Sequence, residues 1–302
     1  MSTTTSFGLQ GGPVVEGFFE RRTSSIQYIV ADPQTKRCAI IDPVLDFDPN
    51  SGATATHSAD RLLSHVAKNR YELEWILDTH PHADHLSAAG YLNDRTGVPT
   101  AIGEKIVEVQ RLWQKLYNAT ECCPDDGSQW DKLFADGERF RIGNMDVEAL
   151  LTPGHTLASI AYVAGDAAFI HDTLFMPDGG TARADFPGGG AGALWQSIQR
   201  ILSFPDTTRL FTGHDYCPGG REPCWESTVA QQKSENVDLI RATTEAYFVQ
   251  LREAKDLKLA MPRLILQSLQ VNLQGGRLPA PENNGKSYLR IPLNAFPDAI
   301  WG

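Results

Sequence analysis

Short β-branched runs alternate along the chain with segments whose apolar residues recur at helical spacing. Residues 26–31 and 37–41 are two such runs, joined by Asp32-Pro33-Gln34-Thr35-Lys36, which predicts a hairpin. Asp42-Pro43 ends the second strand, and a polar loop through Gly52 is expected. Leu62, Leu63 and Val66 predict an amphipathic helix over 59–68, with His65 as a solvated or packing residue on it. A strand carrying Trp75-Ile76-Leu77 and ending at Thr79 comes next, then a helix from Leu86 to Arg95, closed by Gly97-Val98-Pro99. A short strand is expected over 100–102. Ile106, Val109, Leu112, Trp113 and Leu116 then mark a second helix, packed on the sheet.

Two further hairpins are predicted. One joins 139–142 to 145–151 through Gly143-Asn144, and the other joins 159–164 to 167–171 through Gly165-Asp166. The last strand runs into Asp172 and a long glycine-rich loop. A helix over 193–202 and a strand over 209–212 follow, and Gly213-His214-Asp215 leaves that strand. After Tyr216 the character changes to a loop with Pro218, Gly219, Gly220 and Pro223, a polar helix over about 227–255, and an irregular tail. Hairpins alternating with helices imply sheet layers flanked by helices.

Composition narrows the classes. With 302 residues and 41% hydrophobic content the chain can bury a sizeable core. Lys and Arg number 27 against 37 Asp and Glu, a formal charge of -10, and no basic run is present, so nucleic acid is not an expected partner. No apolar stretch reaches bilayer-spanning length, and residues 1–12 lack the charge and apolar core of a leader. A cytoplasmic protein away from the membrane is expected. Cys38, Cys122, Cys123, Cys217 and Cys224 show no metal-ribbon spacing and are read as free thiols. Asn118-Ala119-Thr120 matches a glycosylation acceptor, which a cytoplasmic chain leaves unused.

The chemistry concentrates in Thr79-His80-Pro81-His82-Ala83-Asp84-His85, three histidines and an aspartate within six residues after an apolar strand. His155 occupies a second turn, Thr152-Pro153-Gly154-His155-Thr156, and His214 a third. Side chains alternate along a strand, so His171 and Asp172 cannot both face one point; Asp172 is assigned to the metal and His171 to the core or a supporting role. Imidazoles and carboxylates gathered at strand ends suit zinc, iron or manganese.

Thr-His-Pro-His-Ala-Asp-His, Pro-Gly-His-Thr, His-Asp-Thr and Gly-His-Asp-Tyr, in that order, resemble the metallo-β-lactamase superfamily over most of residues 13–216. The resemblance implies an α/β (α+β) αββα sandwich over 13–216, with 217–302 as a C-terminal helix and tail packed on it. Within the superfamily, Ala83, residues 180–189 and the Gly213-His214-Asp215-Tyr216 ending look most like the persulfide dioxygenases. That likeness implies one Fe(II) per chain held by His80, His155 and Asp172. His82, Asp84, His85 and His214 then orient ligands and substrate. Glutathione persulfide and O2 become the substrates, sulfite and glutathione the products, and a homo-oligomer the assembly. The same residues also suit two zinc ions sharing Asp172, as in a glyoxalase II-like thioester hydrolase, and spacing leaves the two readings open.

Glutathione carries two carboxylates, so a binding groove needs local positive charge. Arg183 is the candidate, against a structural salt bridge to Asp185; Tyr216 is a second candidate, against plain packing. Arg221, Lys233, Arg241 and Arg290 in the tail are weaker candidates for the same role, with solvated surface charge as the favoured reading. A nuclease of the same superfamily would need a basic exosite, which the charge argues against. A passive scaffold has no use for so complete a donor set.

Overall fold

The computed structural model describes residues 3–8, 12–118 and 124–296. Cys122, Cys123 and most of the glycosylation-type triplet lie outside them. The first half of the chain supplies β1 (Thr3–Phe7), β2 (Val14–Glu20), β3 (Ser25–Ala31), β4 (Arg37–Ile41), β5 (Val44–Asp48), β6 (Ala53–Ala55), α1 (His57–Lys68), β7 (Glu72–Leu77), β8 (Leu86–Ser87), α2 (Ala89–Thr96), β9 (Thr100–Gly103), α3 (Ile106–Tyr117) and β10 (Lys132–Phe134). The second half supplies β11 (Glu138–Ile142), β12 (Met145–Leu151), β13 (Ile160–Ala164), β14 (Ala167–His171), α4 (Ala191–Leu202), β15 (Arg209–Thr212), β16 (Glu226–Thr228), α5 (Val229–Glu235), α6 (Glu245–Asp256) and α7 (Ile265–Asn272).

A seven-stranded sheet in the order β1-β2-β3-β4-β7-β9-β10 faces a six-stranded sheet in the order β11-β12-β13-β14-β15-β16, with a small sheet, β6-β5-β8, beside them. Tyr28 of β3 sits edge-on to Phe169 of β14 and Phe211 of β15, at ring separations of 5.3 and 5.7 Å, and these rings fill the space between the sheets. Burying side chains of this size contributes roughly 1.5–3 kcal/mol each. Leu62 of α1 and Leu92 of α2 cover the outer face of the first sheet. Leu194 and Ile198 of α4, with Phe248 of α6, cover the outer face of the second. Helix, sheet, sheet and helix layers result, the expected αββα sandwich.

Strand direction positions the site. β7 runs parallel to β4, and β14 parallel to β15. β12 and β14 are both antiparallel to β13 and so point the same way. The loops after β7, β12, β14 and β15 therefore leave one edge of the sandwich, the edge where α/β folds bind ligands.

Local expectations fail where polar side chains redirect the backbone. The loop through Gly52 is the β5–β6 hairpin, its turn stabilised by Asp48, which accepts from Asn50 N and Ser51 Oγ. The helix expected from Leu86 starts at Ala89, because Leu86 and Ser87 pair with Leu45 and Val44 of β5. The single helix over 227–255 is β16 and two helices. Buried Asn236 takes an extended conformation, bonds Gly180 O and ends α5, and Thr244 caps α6. The tail contains α7. β1 and β2 went unread. Among the described residues no helix is long and apolar enough to cross a membrane.

Candidate metal centre

Each histidine in the cluster is aimed by its other ring nitrogen. Asp42, at the end of β4, accepts from Thr79 N at 2.7 Å and Thr79 Oγ1 at 2.8 Å. With its proton committed to Asp42, the Thr79 hydroxyl accepts from His80 Nδ1 at 3.0 Å. His80 Nε2 is thereby an unprotonated lone pair, buried and without a hydrogen-bond partner. His155 Nδ1 donates to Arg183 O at 2.9 Å, which likewise leaves its Nε2 as a lone pair. His80 Nε2 lies 3.9 Å and His155 Nε2 3.7 Å from Asp172 Oδ2. Two lone pairs and a carboxylate oxygen converging in a buried space fit a cation, which removes the cost of leaving them unpaired.

The protonation states agree with that fit. Burial, reinforced by His82 and His155, holds His80 well below the usual imidazole value, and burial also lowers His155 against the pull of Asp172. Asp172 stays at about 2: burial pushes it up, but His214 outweighs that. His171 is buried with Nε2 against Thr152 Oγ1 and Thr173 Oγ1, while Asp172 faces the cluster.

His214 differs from the other histidines. Its Nδ1 lies 2.6 Å from Asp172 Oδ1 and its Nε2 2.6 Å from Asp84 Oδ2, with Ser25 Oγ 3.0 Å from Nε2. A carboxylate on each nitrogen makes the ring an imidazolium; burial opposes that charge, and Asp172 and Asp84 raise it well above the ordinary value regardless. Close approach here requires Gly213, since a Cβ at that position would lie 2.6 Å from Asp172 Oδ1. Gly154 meets a similar demand in the His155 turn: its φ is +138°, and a Cβ would lie 2.3 Å from the backbone of Leu194.

A second donor set, His82, Asp84 and His85, also lies within metal-binding range, its ligand atoms within 4.8 Å of one another. His85 Nε2 has no hydrogen-bond partner, and burial and the neighbouring His82 lower the ring to about 4. His82 Nε2 sits 3.1 Å from Asp42 Oδ1, off the hydrogen-bond direction, and Asp42 keeps this ring above its usual value despite burial. Asp84 is held low by His214 despite its burial.

A cavity of about 760 Å³ opens onto Asp84, His155 and Asp172. Phe175, Phe186, Tyr216, Leu259 and Leu264 contribute its apolar wall. Tyr216 stacks on His214 at 5.7 Å between ring centroids. Arg183 lines the cavity, but its guanidinium forks Asp185 at 2.6 and 2.8 Å and donates to Ala260 O. Its carbonyl is what touches the cluster, through His155. Arg221 bridges Asp178 and Asp215, and Lys233 pairs with Asp206.

Sequence reasoning missed Asp42, Thr79, Ser25 and Asn272. Asn272 of α7 is buried; its Nδ2 donates to His82 O at 2.7 Å and His85 O at 2.8 Å, and its Oδ1 accepts from Ser87 N at 2.7 Å. Asp42 had a weak signal, an acid at a strand end before Pro43. Asn272 had none, being separated from the turn by most of the chain.

The metallo-beta-lactamase superfamily model matches residues 23–214, and with this sandwich and histidine pattern the chain belongs to that superfamily. It is 63% identical over 289 residues to the "Beta-lactamase hydrolase-like protein" of Xylella fastidiosa, covering 96% of this chain and 67% of that protein. To "Glyoxylase B2" of Dictyostelium discoideum it is 45% identical, covering 93% of this chain and 97% of that protein. The crystal structure of ETHE1 from Myxococcus xanthus superposes with a TM-score of 0.69 at 29% identity, covering 87% of this chain and 99% of that one.

Proposed function

We propose that the protein is a glutathione persulfide dioxygenase working at one ferrous ion. The observation that carries this reading is His214, both of whose nitrogens are engaged by Asp84 and Asp172. In this arrangement both His214 nitrogens are paired, one with Asp84 and one with Asp172, and a second ion would have to displace the ring proton between His214 and Asp84. Gathered around Asp172 Oδ2 are His80 Nε2 and His155 Nε2, the two-histidine, one-carboxylate set of non-haem iron oxygenases, while the unpartnered His82 and His85 nitrogens belong to the second donor set. Iron(II) held there would supply open positions and redox chemistry for O2 and a sulfur anion. The likeness to the Myxococcus ETHE1 structure supports the same choice.

The chain's own groups do the rest. Thr79 and the Arg183 carbonyl fix the two imidazoles in the tautomer that presents Nε2. His214 balances the Asp172 charge and holds the carboxylate still. Phe175, Phe186 and Tyr216 give the cavity beside the cluster an apolar wall. The net reaction takes one persulfide, one O2 and one water to one glutathione, one sulfite and two protons.

A second reading, a two-zinc thioester hydrolase, is favoured by the His82, Asp84 and His85 set and by the likeness to Glyoxylase B2. Oxygen-electrode assays on glutathione persulfide, paired with sulfite determination, test the choice. The dioxygenase reading expects one sulfite per O2 consumed. Hydrolysis of a glutathione thioester with no oxygen uptake would establish the hydrolase instead.

A further inference from the structure

The cavity lining is electrostatically lopsided. Its carboxylates are Asp84 and Asp172, both taken by His214, whereas Arg22, Arg183, Arg252, Lys255, Lys258 and Arg263 line it as well. Three of these cations are already committed. Arg183 forks Asp185, Arg252 pairs with Asp256 and lies 3.8 Å from Asp238, and Lys255 pairs with Asp238. Arg22, Lys258 and Arg263 are exposed and make no ion pair among the described residues. Arg22 feels Asp48 only at longer range.

These three come from two connections far apart in sequence. Arg22 sits in the β2–β3 turn, and Lys258 and Arg263 in the α6–α7 connection, so they reach the cavity from two segments of its rim. In a protein of net charge -10, that leaves three unpaired cations at the entrance to a site whose own acids are neutralised.

We infer that Arg22, Lys258 and Arg263 read the two carboxylates of a glutathione-type tripeptide, and that this charge match, not Arg183, selects the tripeptide persulfide over small inorganic persulfides. The inference rests on the glutathione reading above, and it holds equally for a dioxygenase and for a thioester hydrolase. Exposed pairs of this kind are individually weak and screened by salt, so each cation is expected to change affinity by about two- to fivefold. Their effect is shared, and the cavity volume of about 760 Å³ is ample for a tripeptide.

Calorimetric binding of S-methylglutathione to the metal-loaded protein tests this without any turnover. Affinity is expected to fall by about two- to fivefold in Arg22→Ala, Lys258→Ala and Arg263→Ala, and by more than tenfold in the triple variant, with a shallower salt dependence than wild type. In turnover, the triple variant is expected to lose most of its kcat/KM preference for glutathione persulfide over hydrogen disulfide, mainly through KM. A triple variant that binds S-methylglutathione as tightly as wild type overturns the inference. Weakened binding in a protein that consumes no oxygen would overturn the dioxygenase reading and leave the rim assignment standing.

Discussion

His214 Nε2 lies 2.6 Å from Asp84 Oδ2, while its Nδ1 is the same distance from Asp172 Oδ1, so one buried ring joins the histidine-rich turn to the loop after β14. Removing it leaves buried Asp172 and half-buried Asp84 without a counter-charge. His214→Ala is expected to weaken iron binding about 10- to 100-fold. Oxygen uptake at limiting iron should fall in proportion. Metal titration followed by oxygen-electrode assay checks this.

Asn272 anchors the metal turn from the far end of the chain, through His82 O, His85 O and Ser87 N. Asn272→Ala removes the partners of three buried backbone groups, each worth about 1–3 kcal/mol when left unsatisfied. The variant is expected to melt several degrees lower than wild type and to bind metal more weakly, even though it touches no ligand side chain. Thermal melting with and without added iron separates the two effects.

Asp32 links the two sheets at their opposite edge. Its Oδ2 accepts from Thr35 Oγ1 and Asn144 N, and its Oδ1 from Gln34 N. Burial pushes this carboxyl up, but the bonds from Asn144, Thr35 and Gln34 win and hold it below its ordinary value. A depressed acid stabilises the fold above its unfolded value, near pH 4, and that contribution disappears as pH falls through the folded value. Asp32→Asn should therefore destabilise the protein at pH 7 by about 1–3 kcal/mol, and the gap should shrink toward pH 3. Denaturation of both metal-free proteins at the two pH values checks the sign.

Metal removal has its own expected signature. The cluster leaves His80 Nε2, both nitrogens of His82 and His85 Nε2 buried without hydrogen-bond partners. Ion binding to the folded state adds about 2.7 kcal/mol at a hundredfold excess over Kd. The melting temperature should drop on the order of 5–10 °C on chelation and recover with iron.

Much of this architecture is legible in the sequence where a segment satisfies its own preferences. The hairpins around Asp32-Pro33 and Gly143-Asn144 follow from β-branched runs with turn residues between them. The candidate ligands are visible because His80, His155, Asp172 and His214 each adjoin a strand end. Legibility fails where a distant partner decides. Leu86 and Ser87 look helical until β5 pairs with them, and the polar run after Ser227 looks like one helix until Asn236 bonds Gly180 across the fold. At Arg183 the partner is local and the alternative is legible: its guanidinium forks Asp185, two residues along, the structural salt bridge that the sequence offers against a substrate role. The three unpaired rim cations lie in segments with no motif, and only the folded cavity gathers them.

Metal content of the purified protein, measured by elemental analysis alongside oxygen uptake on glutathione persulfide, tests the central claim most directly. A mononuclear site with His214 as an imidazolium predicts about one iron per chain and one sulfite per O2. Two zinc ions per chain, thioester hydrolysis and no oxygen uptake would contradict it and make His82, Asp84, His85 and His214 ligands.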